Sequence, residues 1–101
     1  MIKAIFQEKD DRYVSLDVSG HAEYGEYGKD LICAAVSSIM FGLMNALDVL
    51  EENTEIRQSE NRISIVDHSS SDVVRDYFEL VIMQLKTIEA SYGDFIRVER
   101  K

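Results

Sequence analysis

Residues 31 to 50, LICAAVSSIMFGLMNALDVL, are apolar around most of a helical circumference, and this one segment limits what the rest of the chain can be. Its length is nearly that of a membrane span. Ser37, Ser38, Gly42, Asn45 and Asp48 interrupt the run, however, and its flanks are acidic. The segment is therefore expected to be a helix of a soluble fold, with a sheet on one side and a second surface on the other. A chain of 101 residues is enough for one packed domain over 1–101, so that second surface is expected to be another copy of the protein, giving a homodimer.

The sequence on either side of the helix supplies the sheet. MIKAIFQ (1–7) alternates, EKDDR reads as a polar turn, and YVSLDVS (13–19) alternates strictly, with Val14, Leu16 and Val18 on one face. EIRQ and RISIVD, joined by SEN, predict a second hairpin with Ile63 and Ile65 inward. SSSD then starts a helix over residues 72–91, on which Val74, Tyr77, Val81, Leu85 and Ile88 recur at intervals of three and four. FIRVE, after Tyr92-Gly93, completes the order ββαββαβ. That order predicts an α+β domain, a mixed or antiparallel sheet with two helices packed on it.

The formal net charge of -8 opposes non-specific binding to nucleic acid and would draw in a basic partner. No Gly-rich phosphate loop or RNA-binding aromatic motif occurs, so neither direct nucleic-acid contact nor a membrane association is expected. One cysteine cannot form an intrachain disulfide, and the chain does not open on a cationic stretch followed by an apolar one. Both features point to a reducing, cytoplasmic setting without a signal peptide.

The chemistry-bearing residues cluster in SGHAEYGEYGKDLICAAVSS, residues 19–38. Residues 20–29 carry Gly20, Gly25 and Gly28 with no apolar period and read as a loop. Asp30 reads as the N-cap of the long helix, making Cys33 its third residue. Unpaired N–H groups there would stabilise a thiolate, while the Asp30 carboxylate would oppose it. The amide of Cys33 with a neighbouring one could also form an oxyanion hole. His21, at a strand end, could be folded onto Cys33 by the loop, take its proton and later protonate a departing amine. Spacing alone leaves two readings open: the dyad of a cysteine peptidase, or a small buried thiol with a histidine that caps a turn. Tyr24, Gly25, Tyr27 and Gly28 are expected to form a lid that orders over a peptide. His68 beside three serines suits turn service. No close-spaced pair of metal ligands occurs, so neither a metal nor another cofactor is expected. Met40, Phe41 and Met44 are expected in the core or the dimer interface, with a share in a substrate pocket as a second role.

GHA at 20–22 followed by GKDLICAAVS at 28–37 resembles the signature of the ribosomal-processing cysteine protease family, and the element order and length match it along essentially the whole chain. The resemblance implies a homodimeric endopeptidase that removes the N-terminal extension of large-subunit ribosomal protein L twenty-seven, cutting after an aromatic residue. It implies His21 as general base and Cys33 as nucleophile, and it places the family's aspartate and serine on Asp30 and Ser37. Physically, Ser37 lies one turn after Cys33 and within its reach, which leaves two roles open: a hydrogen-bond donor near the thiolate or substrate, or a small residue that permits close packing. Asp30 is read chiefly as a helix cap, with orientation of His21 as its other role. The rival is a non-catalytic, ribosome-associated peptide-binding module of the same fold.

Overall fold

The computed structural model describes residues 1–20 and 27–101, with the backbone alone over 27–30. Its elements are β1 (Ile2–Lys9), β2 (Arg12–Ser19), α1 (Tyr27–Leu50), β3 (Thr54–Ser59), β4 (Arg62–Asp67), α2 (Asp72–Tyr92) and β5 (Ile96–Arg100). The ββαββαβ order is the expected one. The sheet is mixed: the strands lie in the order β3-β4-β2-β1-β5, all antiparallel except β5, which runs parallel to β1.

Alternation along the strands decides which face is covered. Ile2, Ala4 and Phe6 of β1, Leu16 and Val18 of β2, Ile65 of β4 and Ile96 of β5 are buried together with the inner faces of both helices in one core. The other face of the sheet carries polar pairs instead. There Arg62 grips Asp17 through two hydrogen bonds, Nε donating to Oδ1 at 3.0 Å and Nη2 to Oδ2, and so ties β4 to β2. The hydrogen bond, and then the charge of Asp17, raise the pKa of the Arg62 guanidinium.

Two local features differ from the expectation. The first turn is shorter than EKDDR: Lys9 pairs with Arg12 around Asp10 and Asp11, whose φ values of 53° and 62° make it a type I′ turn. A bulge also intervenes, since Gln7 pairs with Ser15 but Glu8 with Tyr13, leaving Val14 as the extra residue. The bulge re-aims the alternation, so Tyr13 rather than Val14 joins the edge of the core. Its ring meets Phe6 edge-on, with centroids 5.3 Å apart. Burial, and then the neighbouring Glu8 and Glu79 carboxylates, raise the Tyr13 pKa above its usual value.

The serine-rich junction caps α2 as its composition suggests. The Ser71 hydroxyl accepts from the Val74 amide at 3.3 Å, and the Ser69 hydroxyl accepts from the Ser71 amide at 3.0 Å. The buried Asp67 carboxylate accepts from the Ser69 amide at 2.8 Å. At the far edge, Glu89 of α2 accepts from the Val98 amide at 2.6 Å, which occupies an edge-strand donor of β5.

Candidate active site

Packing along α1 sets where the thiol goes. Among the described side chains of α1, those buried are Ile32, Val36, Met40, Leu43 and Leu47, spaced by three and four. Segment Leu31–Leu50 has the mean hydropathy of a membrane span, 1.7, and in this fold it is the layer helix whose inner stripe completes the core. Cys33 follows Ile32 and therefore sits at the shoulder of that stripe, half-buried and packed against the core margin, in no disulfide. Ser37 is one turn further on and exposed.

A cleft of about 250 Å³ opens beside these two residues. On the α1 side it is lined by Cys33, Ser37 and Phe41, and on the other side by the tip of the β3–β4 hairpin from Gln58 to Ile63. The walls are mostly apolar. Arg62, though at the rim, spends its guanidinium on Asp17.

Gly20 lines the cleft and directly precedes the candidate base in sequence. Its φ is 86°, and a Cβ there would press into the carbonyl oxygen of Met1. Only glycine fits both demands. The Gly20 amide donates to the Asn61 carbonyl at 3.0 Å, so the end of β2 is fixed to the same hairpin tip that walls the cleft. The chain leaves this mount into His21, which lies outside the described residues, as do Tyr24 and Gly25.

The helix start corrects three expectations. α1 begins at Tyr27, so Tyr27 and Gly28 belong to its first turn and not to a loop, and Asp30 is inside the helix, not its N-cap. The physical reason is that aspartate is favoured both at an N-cap, by hydrogen bonding, and in the first turn, by the helix dipole, so residue type does not separate the two positions. A single glycine such as Gly28 costs only about 1 kcal/mol within a helix and does not end it. Cys33 is consequently the seventh helical residue, beyond the four unbonded amides of the first turn. An oxyanion hole built on the Cys33 amide is thereby ruled out, and the dipole acts on the thiol at reduced strength.

Other candidates fall elsewhere. His68 does not line the cleft; its amide donates to the Asn53 carbonyl at 2.9 Å, and Nε2 lies 3.6 Å from Glu55. Among the described residues no group of three or more His, Cys, Asp or Glu is placed to hold a metal. Met40 is fully buried, Met44 is half-buried against the core, and Phe41 faces the cleft at 45% exposure. A second, apolar groove of about 330 Å³ runs between the helices past Gly42, Ala46, Tyr77 and Leu80. Sequence reading missed the hairpin tip as a wall of the cleft. The SEN turn marks a hairpin, but nothing in it shows that β4 pairs with β2 and so brings the tip to Gly20.

In sequence and fold the chain is similar to known proteases. The family model described as cysteine protease Prp matches residues 1–97. Over an alignment of 107 positions the chain is 32% identical to the ribosomal processing cysteine protease Prp of Bacillus subtilis, covering 97% of this chain and 96% of the relative. It is 40% identical over 90 residues to that of Mycoplasma pneumoniae, covering 83% and 84%. Among solved structures, it is similar to the essential ribosomal processing protease Prp of Staphylococcus aureus in complex with a substrate peptide, with a TM-score of 0.90, 28% identity and full coverage of both chains.

Proposed function

The chain belongs to the Prp family of cysteine proteases, and from that premise we propose that Cys33 is the nucleophile and His21 the general base of an endopeptidase that removes the N-terminal extension of large-subunit ribosomal protein L twenty-seven. Membership in a family of cysteine proteases sets aside the reading as a non-catalytic binding module. The observation that carries the proposal is the position of Cys33: the only thiol of the chain lines a cleft whose far wall is fixed to the residue preceding His21.

In this mechanism His21 takes the Cys33 proton and the thiolate attacks the scissile carbonyl. The tetrahedral intermediate collapses as imidazolium protonates the departing amine, leaving a thioester on Cys33. His21 then activates a water that hydrolyses it. Ser37, exposed on the cleft wall one turn from Cys33, donates a hydrogen bond to the thiolate or the substrate. With the capping role removed, Asp30 orients His21 or weights its charge, from a helix position one turn before Cys33. The apolar cleft suits a substrate with an aromatic residue at the cut, and the net charge of -8 suits a basic ribosomal protein. The lid formed by the chain around Tyr24 and Gly25 remains part of the proposal, as does a cytoplasmic site of action, where ribosomal proteins mature.

A synthetic peptide spanning the cut site tests the reading. Cys33→Ala abolishes its cleavage while the thermal midpoint stays within a few degrees; retained turnover would end the proposal. Iodoacetamide alkylation of Cys33 followed against pH tests the partners. His21→Ala shifts the profile towards that of an unassisted thiol, and Asp30→Asn lowers kcat on the same peptide if the carboxylate orients the base. Amide exchange over residues 22–26 that is unchanged by a bound peptide would remove the lid.

A homodimer is also proposed. The groove between α1 and α2 is apolar, and Leu80, which lines it, is 60% exposed. Beyond its own helix backbone, no described atom lies within 4 Å of where a Cβ on the groove residue Gly42 would stand, so the described fold does not require a glycine there. A bare helix surface lets a partner helix approach closely.

A further inference from the structure

We propose that Phe41 is a specificity-determining residue, the distal end of the substrate cleft, holding an apolar side chain of the substrate three to four residues away from the scissile bond. The inference rests on the peptidase reading of Cys33 and specifies how that site selects its peptide.

Phe41 is a large aromatic ring left 45% exposed on a helix whose next-door residue, Met40, is fully buried. The core therefore has no use for it. Exposure alone means little, but this ring lines the same cleft as Cys33, on the same wall as Ser37. Opposite it stand Gln58 and Ile63, which pair across β3 and β4 and belong to the strand positions on the helix-bearing face. A half-exposed ring and a half-buried Ile63 thus face each other across open space contiguous with the thiol. An apolar side chain inserted there would be covered from both sides.

Spacing fixes which substrate residue reaches it. Phe41 is eight positions after Cys33 on α1, so it lies about 12 Å along the helix axis from the thiol. An extended peptide advances about 3.3–3.6 Å per residue, so its side chain at Phe41 is three or four residues from the bond over Cys33. Two anchors this far apart would fix the register of an extended peptide before any bond is attacked, and a missing distal anchor should raise KM more than it lowers kcat.

Two readouts test this on the full chain. Steady-state cleavage compares the native cut-site peptide with variants in which each apolar residue two to five positions from the cut is replaced by Ala. One such position, three or four away, should raise KM about tenfold with the wild-type protein, as expected for loss of one buried anchor. Phe41→Ala should cause a similar loss on the native peptide and almost none on that Ala-substituted peptide, and Phe41→Leu should restore most of it. Equal losses on both peptides, or a scan flat beyond two residues from the cut, would overturn the assignment. Direct binding of the same peptides to Cys33→Ala separates this inference from the chemistry. Binding that weakens with Phe41→Ala at the predicted position supports the distal site even if no turnover is found. Binding indifferent to Phe41 rejects it even if cleavage is confirmed. Sedimentation of Phe41→Ala should match wild type, and a changed oligomeric state would assign the ring to a subunit contact instead.

Discussion

At Gly20 three constraints meet on one residue: a φ of 86°, a close approach to the Met1 carbonyl and an amide hydrogen bond to Asn61. A methyl group at this position would have to shift the Met1 carbonyl just before β1, and the positive φ would be strained in any case. Gly20→Ala is expected to destabilise the fold by about 2 kcal/mol or more in urea unfolding. Because the next residue is His21, the surviving folded fraction should also lose kcat out of proportion to its loss of stability. A variant as active per folded molecule as wild type would show that the mount does not aim the base. At this scale the sequence was informative about identities and poor about roles. Cys33 and Ser37 stood out by spacing, whereas Phe41 was expected first in the core or a dimer interface and lines the cleft instead. The N-cap assigned to Asp30 failed because aspartate suits two adjacent kinds of helical position equally well.

Among the elements, the strands and helices were legible because alternation and the three-four spacing are properties of a single segment. What those periods do not carry is pairing. The bulge at Val14 exists only relative to Gln7 and Glu8 on the neighbouring strand, and so the inward residue turned out to be Tyr13. The wall of the cleft was hidden for the same reason, since it follows from the β2–β4 pairing and not from the composition of the hairpin. The type I′ turn at Asp10-Asp11 offers a test at this scale. Both residues hold a left-handed backbone that aspartate tolerates and glycine prefers at the second position, and two adjacent carboxylates repel. Asp11→Gly should stabilise the protein by about 0.5–1 kcal/mol, measured by thermal or urea unfolding, without changing activity. A loss of stability would mean that the aspartate contributes something other than turn geometry.

For the whole molecule, the two grooves divide the labour of α1. One side of the helix carries Cys33, Ser37 and Phe41 towards the hairpin tip, and another carries Ser38, Gly42 and Ala46 towards α2 and the solvent beyond. If the second groove is where two copies meet, Leu80→Glu should convert a dimer to a monomer in sedimentation at micromolar concentration, because a carboxylate buried without a partner is costly. A wild-type monomer under those conditions, or a dimer indifferent to the substitution, would place the contact elsewhere or remove it. The parallel pairing of β5 with β1 has a different consequence, one of timing. Ile2 and Ile96 are neighbours in the sheet although nearly the whole chain separates them in sequence, and both are buried. During synthesis β1 must therefore wait, with one edge unpaired, until almost everything else has been made. An unpaired edge beside an unfinished core is where chains associate wrongly, so the completion of this fold is a race between its last strand and its neighbours.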